Sequence, residues 1–133
     1  EGMEVRMPAA ALGLHYYPGG IFRFVSRLGV SYAKRAFLGA ETFKGEALLQ
    51  MNYVQALLPA KDLATAVEQK VAALTRLGPM ALQLLKQSIN EVARGEFDAA
   101  RLRGRMERTQ ASEDFKNACV AFTEKRVAIF TGR

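Results

Sequence analysis

The sequence predicts a mainly α-helical fold, about six helices with one or two short strands, and three observations predict it. Apolar residues recur at helical spacing along most of the chain; Ile21, Phe24, Val25 and Leu28, for example, fall at i, i+3, i+4 and i+7. The breaks between these stretches are helix punctuation: Gly29, Gly78-Pro79 and Gly95. Finally, 50% of the 133 residues are hydrophobic and 24% are charged, which suits a globular chain long enough to bury a core and argues against disorder.

Taken in order, the chain opens Glu1-Gly2-Met3-Glu4 without an initiator. Glu4-Val5-Arg6-Met7-Pro8 reads like the end of a strand arriving from elsewhere, so the sequence reads as a piece of something longer. Met7 to Gly20 is loop-like, with Pro and Gly at its turns. One helix follows from Ile21 to Leu28 and is closed by Gly29. A second runs from Val30 to Leu38, with Ala33, Ala36 and Phe37 inward and Lys34 and Arg35 outward. Phe43 to Met51 reads as a helix ended by Asn52, whose short side chain tolerates positive φ, and Tyr53 to Leu58 as a brief strand before Pro59. The longest predicted helix is Asp62 to Leu77, with Leu63, Ala66, Val67, Val71, Leu74 and Leu77 on one face. Gly78 ends it, and Pro79 suits the first turn of the next, Met80 to Ala93, which should bury Ala81, Leu84, Leu85, Ser88, Ile89 and Val92. Asp98 can cap a helix reaching Gln110. Ser112 can cap a last one, with Glu113 and Asp114 at its positive end and Phe115, Ala118, Cys119 and Phe122 as the buried stripe.

The residue inventory excludes several chemistries. One histidine, one cysteine and no metal-ligand spacing make a metal site an unsupported reading. No apolar run reaches a membrane-spanning length. Cys119 cannot form an internal disulfide and is expected to be a reduced, packed, inert thiol in a cytoplasmic protein. Gly19-Gly20 before a helix can present N–H groups to an anion, but a simple turn explains it as well. His15, beside Tyr16-Tyr17, has no orienting partner in sequence and reads as structural rather than catalytic. The net charge of +6 admits a polyanion: nucleic acid, an anionic membrane or a phosphate-bearing cofactor. Solvated Lys and Arg account for it equally, and the run Arg101, Arg103, Arg105 and Arg108 reads as a solvated face or subunit contact without stacking aromatics.

The order of motifs resembles one family. Met7-Pro8-Ala9-x-x-Leu12-Gly13 followed by Pro18-Gly19-Gly20-x-x-Arg23 is similar to the "P-E-x-x-x-G … G-G-x-x-R-L" stretch of the enoyl-CoA hydratase/isomerase (crotonase) superfamily. Leu28-Gly29 with Ala33-Lys34, and Glu46-Ala47 through Val54 to Pro59, fill the places of its next two motifs. Glu113-Asp114-Phe115 and Ala121-Phe122-Thr123-Glu124-Lys125-Arg126 resemble its closing "S-x-D-x-x-E-G-x-x-A-F-x-E-K-R".

That resemblance implies the C-terminal half of a crotonase-like ββα spiral fold, with residues 1–29 as the last turn of the spiral core and residues 30–133 as the helical oligomerisation region. It implies acyl-CoA thioesters as substrates, with coenzyme A part of the substrate and no covalently bound cofactor. Two backbone N–H groups that stabilise the enolate-like oxygen would lie upstream, so the chain should be inactive alone while its parent is a lyase or isomerase. Phe122 and Lys125, with Arg126 adjacent, match the positions that reach the coenzyme's nucleotide from a neighbouring subunit, in a trimer or dimer of trimers; solvated Lys and Arg remain the other reading. Ala9 departs from the pattern: it stands where hydratases carry the Glu that is general acid/base, and a methyl group transfers no proton. Asn52 for Gly and Lys44 for a capping Ser are structurally tolerable departures. Two rival readings belong to other classes: a stand-alone basic helical module binding nucleic acid or an acidic protein, and an oligomerisation domain with no ligand.

Overall fold

A computed structural model describes residues 2–133; Glu1, which opens the chain, lies outside the described residues. The chain divides into two compact units, Glu1–Leu63 and Ala64–Arg133. Among the described residues there are six α-helices and one two-stranded sheet.

Unit 1 is built around β1 (Glu4–Arg6), α1 (Pro18–Leu38), β2 (Thr42–Lys44) and α2 (Glu46–Gln50). The strands pair antiparallel, with Val5 opposite Phe43 and Glu4 opposite Lys44, where an ion pair of 2.7 Å crosses the ladder. Alternation sends Phe43 inward while Thr42 and Lys44 stay exposed. Phe43 joins Ala36, Leu48 and Met51 in a buried cluster flanked by Val5, Met7, Phe24, Leu28, Tyr32 and Val54. The two helices expected on either side of Gly29 are one element with a break: Gly29 alone has non-helical angles there, φ 75° and ψ 167°, a conformation open to a residue without Cβ. Ala33, Ala36 and Phe37 face inward as their spacing predicts, and Asn52 takes φ 57° after α2.

Two expectations in this unit are corrected. Phe43 and Lys44 do not begin a helix; they pair with β1, and α2 starts only at Glu46 behind Gly45. The segment from Tyr53 to Leu58 is irregular rather than a strand, and the Tyr53 and Val54 N–H groups turn back to the Leu48 carbonyl instead of joining a ladder.

Unit 2 contains α3 (Leu63–Leu74, which opens on the last residue of unit 1), α4 (Pro79–Ala93), α5 (Ala99–Gln110) and α6 (Glu113–Thr123). Local rules place its helix ends. Pro79 opens α4, the Asp98 carboxylate accepts the Arg101 N–H at 2.9 Å, and the Ser112 hydroxyl accepts the Phe115 N–H at 3.1 Å. Between α4 and α5 the Glu91 carboxylate receives both arms of Arg105, at 2.7 and 2.8 Å, and the Arg101 Nε at 3.1 Å.

The apolar stripes of unit 2 are not covered as expected. Val67, Val71, Leu74 and Leu77 are exposed, and α3 is shorter than Asp62 to Leu77 and is not the longest helix. On α4, Ala81, Leu84 and Ser88 are half-buried but Leu85, Ile89 and Val92 face out. On α6 the inward face is Asp114, Asn117, Ala118 and Ala121, one residue out of phase with the predicted stripe. Phe115 and Phe122 are therefore exposed, and so is Cys119, which is not packed. The reason for the rotation is polar: the helix turns inward the one carboxylate that the C-terminal residues bind. No helix among the described residues is long and apolar enough to cross a membrane.

Candidate functional site

Two places in the chain carry candidate chemistry, one in each unit. In unit 1, Ala9 precedes a single 3₁₀ turn, Ala10–Leu12, and accepts the Leu12 and Leu14 N–H groups at 3.1 and 2.9 Å. Gly13 closes the turn at φ 67°. The Ala9 position is thus backbone-defined, partly exposed and without any titratable atom. His15 follows, exposed.

The Gly-Gly-x-x-Arg motif has a packing role. Pro18 opens α1, and the Gly20 and Ile21 N–H groups turn back to the Tyr17 carbonyl at 3.0 and 3.2 Å. The Tyr16 ring lies so close to Gly20 that a Cβ there would sit 2.2 Å from its Cε1. Arg23 donates to the Gly19 carbonyl at 3.1 Å and its guanidinium lies 5.9 Å from the centre of the Tyr17 ring. The Tyr16 ring continues through Phe37 and Phe24 to Tyr53 as an aromatic chain, and burial, aided by Tyr17, pushes the Tyr16 phenol up.

In unit 2 the C-terminal end of α6 gathers Phe122, Lys125 and Arg126. The helix closes with the Arg126 N–H on the Ala121 carbonyl (3.0 Å) and the Lys125 N–H on that of Phe122 (3.2 Å), the paired bonds of a Schellman ending. This ending needs a left-handed residue, and here it is Lys125, at φ 54°, rather than glycine. Phe122 is 86% exposed, unusual for a phenylalanine. Arg126 is less free: Glu124 accepts its Nε at 2.6 Å, and the Asn117 side-chain oxygen accepts a second guanidinium N–H at 3.2 Å.

The sequence pattern of the enoyl-CoA hydratase/isomerase family matches residues 4–133, nearly the whole chain. The chain belongs to the enoyl-CoA hydratase/isomerase family. It is 27% identical to a 2,3-dehydroadipyl-CoA hydratase of Escherichia coli strain K12 over 135 aligned positions, covering 100% of this chain and 53% of the relative. It is 28% identical to a short-chain-enoyl-CoA hydratase of Clostridium acetobutylicum, covering 90% of this chain and 46% of the relative. Its fold is similar to that of an enoyl-CoA hydratase/isomerase family protein from Hyphomonas neptunium, with a TM-score of 0.87 at 22% identity, over 99% of this chain and 51% of the other. The chain spans about half the length of the curated relatives it matches.

The Ala9 side chain offers neither proton nor lone pair, and among the described residues no group of three or more His, Cys, Asp or Glu side chains could hold a metal ion. On α5, Arg101 and Arg105 are committed to Glu91, which interrupts the basic run a phosphate backbone would follow. The residue whose contacts the sequence did not disclose is Asp114. It lies in the first turn of α6 as expected, but it is also buried and binds the C-terminal segment; the cue was a cap already supplied by Ser112, two residues earlier.

Proposed function

We propose that the chain is the C-terminal, helical portion of a protein that handles acyl-CoA thioesters, and that Phe122, Lys125 and Arg126 meet the coenzyme's nucleotide. The observation that carries the reading is the ending of α6, where a lysine takes the left-handed place beside a phenylalanine that is 86% exposed. A non-glycine residue in that conformation costs about 1–2 kcal/mol, offset here by the two hydrogen bonds that close the helix, and the turn leaves the Lys125 side chain exposed beside Phe122. An exposed ring offers stacking area to a purine, and the cations offer charge to phosphates.

Hydration of an enoyl thioester adds a hydroxyl at one carbon and a proton at its neighbour, and both transfers need a group that exchanges protons. Ala9 supplies none. We therefore read the protein as a poor hydratase: either it performs isomerisation or another enolate reaction with a proton carrier elsewhere, or it is a catalytically weakened relative. The fragment alone is inactive in this reading. The bare stripes of Val67 and Val71, of Leu85 and Ile89, and of Phe115 and Phe122 support a homo-oligomer, because apolar surface of this extent is stabilised by a cover.

Calorimetric titration with coenzyme A and with its 3′-dephospho form tests the reading. Tighter binding of coenzyme A, with the difference shrinking as salt rises, is expected; equal binding of both, or of neither, overturns it.

A further inference from the structure

Unit 2 holds one buried carboxylate that the chemistry above does not use. Asp114 lies in the first turn of α6, where a carboxylate ordinarily caps its own helix. Ser112 already fills that office, so both Asp114 oxygens serve another segment. One accepts the Thr131 N–H at 2.7 Å and the Thr131 hydroxyl at 3.3 Å, and the other accepts the Gly132 N–H at 2.8 Å. The Asp114 N–H in turn donates to the Arg133 carbonyl at 2.8 Å. These bonds, the Thr131 N–H foremost, hold the carboxyl below the usual aspartate range against the opposing effect of burial.

The segment so bound, residues 127–133, runs back along α6 from its C-terminal end to its N-terminal end. Between those ends Asn117 donates from its amide to the Ile129 carbonyl while its oxygen accepts from Arg126. Phe130 seats against the start of α4, where a Cβ on Gly78 would lie 3.5 Å from its ring, and it lines two apolar clefts of about 380 and 220 Å³. The strap therefore touches the Phe122–Arg126 turn by a relay: Asp114 fixes Thr131 and Gly132, the fixed strap presents the Ile129 carbonyl to Asn117, and Asn117 orients the Arg126 guanidinium.

We propose that Asp114 is a positioning residue, whose carboxylate latches the 127–133 strap and through it holds the turn bearing Lys125 and Arg126 in its ligand-ready shape. The functional consequence rests on the reading of that turn as a coenzyme contact; the latch does not. Hydrogen exchange on the full chain separates the two. In Asp114→Asn the amide now opposes the Gly132 N–H, and the Thr131 and Gly132 amides should exchange at least tenfold faster. The Arg126 amide should follow them, while protection within α5 stays unchanged. Affinity for coenzyme A should fall several-fold in the same variant. Free exchange at Thr131 and Gly132 with Arg126 unmoved overturns the proposal. If Asp114→Asn does not fold, Phe130→Ala loosens the strap with the carboxylate intact and must give the same response at Arg126; protection retained there overturns it equally. A wild-type chain that ignores coenzyme A, yet whose Arg126 exchange follows the strap, keeps the latch and removes only the ligand reading.

Discussion

The two units are stabilised by different physics. Unit 1 has an apolar centre, with Leu48 and Met51 fully buried beside Phe43 and Ala36 and an aromatic chain running from Tyr16 to Tyr53. Unit 2 has, among the described residues, Ala121 as its one buried apolar side chain; its fixed points are the Glu91–Arg105 pair, the Asp114 latch and two helix caps. Hydrophobic burial is non-directional and tolerates small displacements, whereas charge-assisted hydrogen bonds fix orientation. Unit 1 closes around that centre while leaving Leu12, Leu14, Val30 and Leu38 exposed. Unit 2 is oriented by its polar contacts and leaves Val67, Val71, Leu85, Ile89, Phe115 and Phe122 exposed with little apolar centre beneath them.

Four substitutions probe that contrast, from large effect to small. Leu48→Ala should destabilise unit 1 by about 3 kcal/mol through the cavity it leaves, seen as a lower urea midpoint and faster exchange of α2 amides. Gly20→Ala should cost about 2 kcal/mol in the same assay, because the new methyl meets the Tyr16 ring and the aromatic chain must shift. In unit 2 the signature is electrostatic. The Arg105 hydrogen bonds, assisted by Arg101, lower the Glu91 carboxyl from 4.5 to about 2. A group depressed on folding adds stability above its unfolded pKa and loses it as pH falls through the folded one, so this contribution is whole above pH 4.5 and gone below about pH 2. Glu91→Gln should lower the thermal midpoint by several degrees near neutrality and converge on the wild type in strong acid; an offset independent of pH would show that shape rather than charge joins α4 to α5. Lys125→Gly should act oppositely on stability and binding. It relieves a left-handed lysine, for a gain of about 1 kcal/mol or less, while coenzyme A affinity drops several-fold. Unchanged affinity would reduce Lys125 to a surface residue.

What the sequence revealed follows the same division between local and distant causes. The caps at Asp98 and Ser112, Pro79 at a helix start, the break at Gly29 and the left-handed Asn52 each depend on a few neighbouring residues and were legible. Strand β2 was not, since three residues pair with a partner some forty positions earlier, and Phe43-Lys44 carries no local sign of it. The phase of α6 was misread because an apolar stripe of Phe115, Cys119 and Phe122 competes with Asp114 for the inward side, and the strap that satisfies Asp114 lies beyond the helix. The family resemblance was readable from motif order. The reading of Ala9 as a missing carboxylate rests on that motif order, and its methyl side chain carries no proton to exchange.

The most direct test is the rate of crotonyl-CoA hydration by the protein expressed from its complete gene, wild type against Ala9→Glu. General acid–base catalysis contributes roughly 10²–10⁴-fold, so restoring the carboxylate should raise a feeble rate by a factor in that range. Brisk hydration by the wild type, with no gain from Ala9→Glu, would contradict the account.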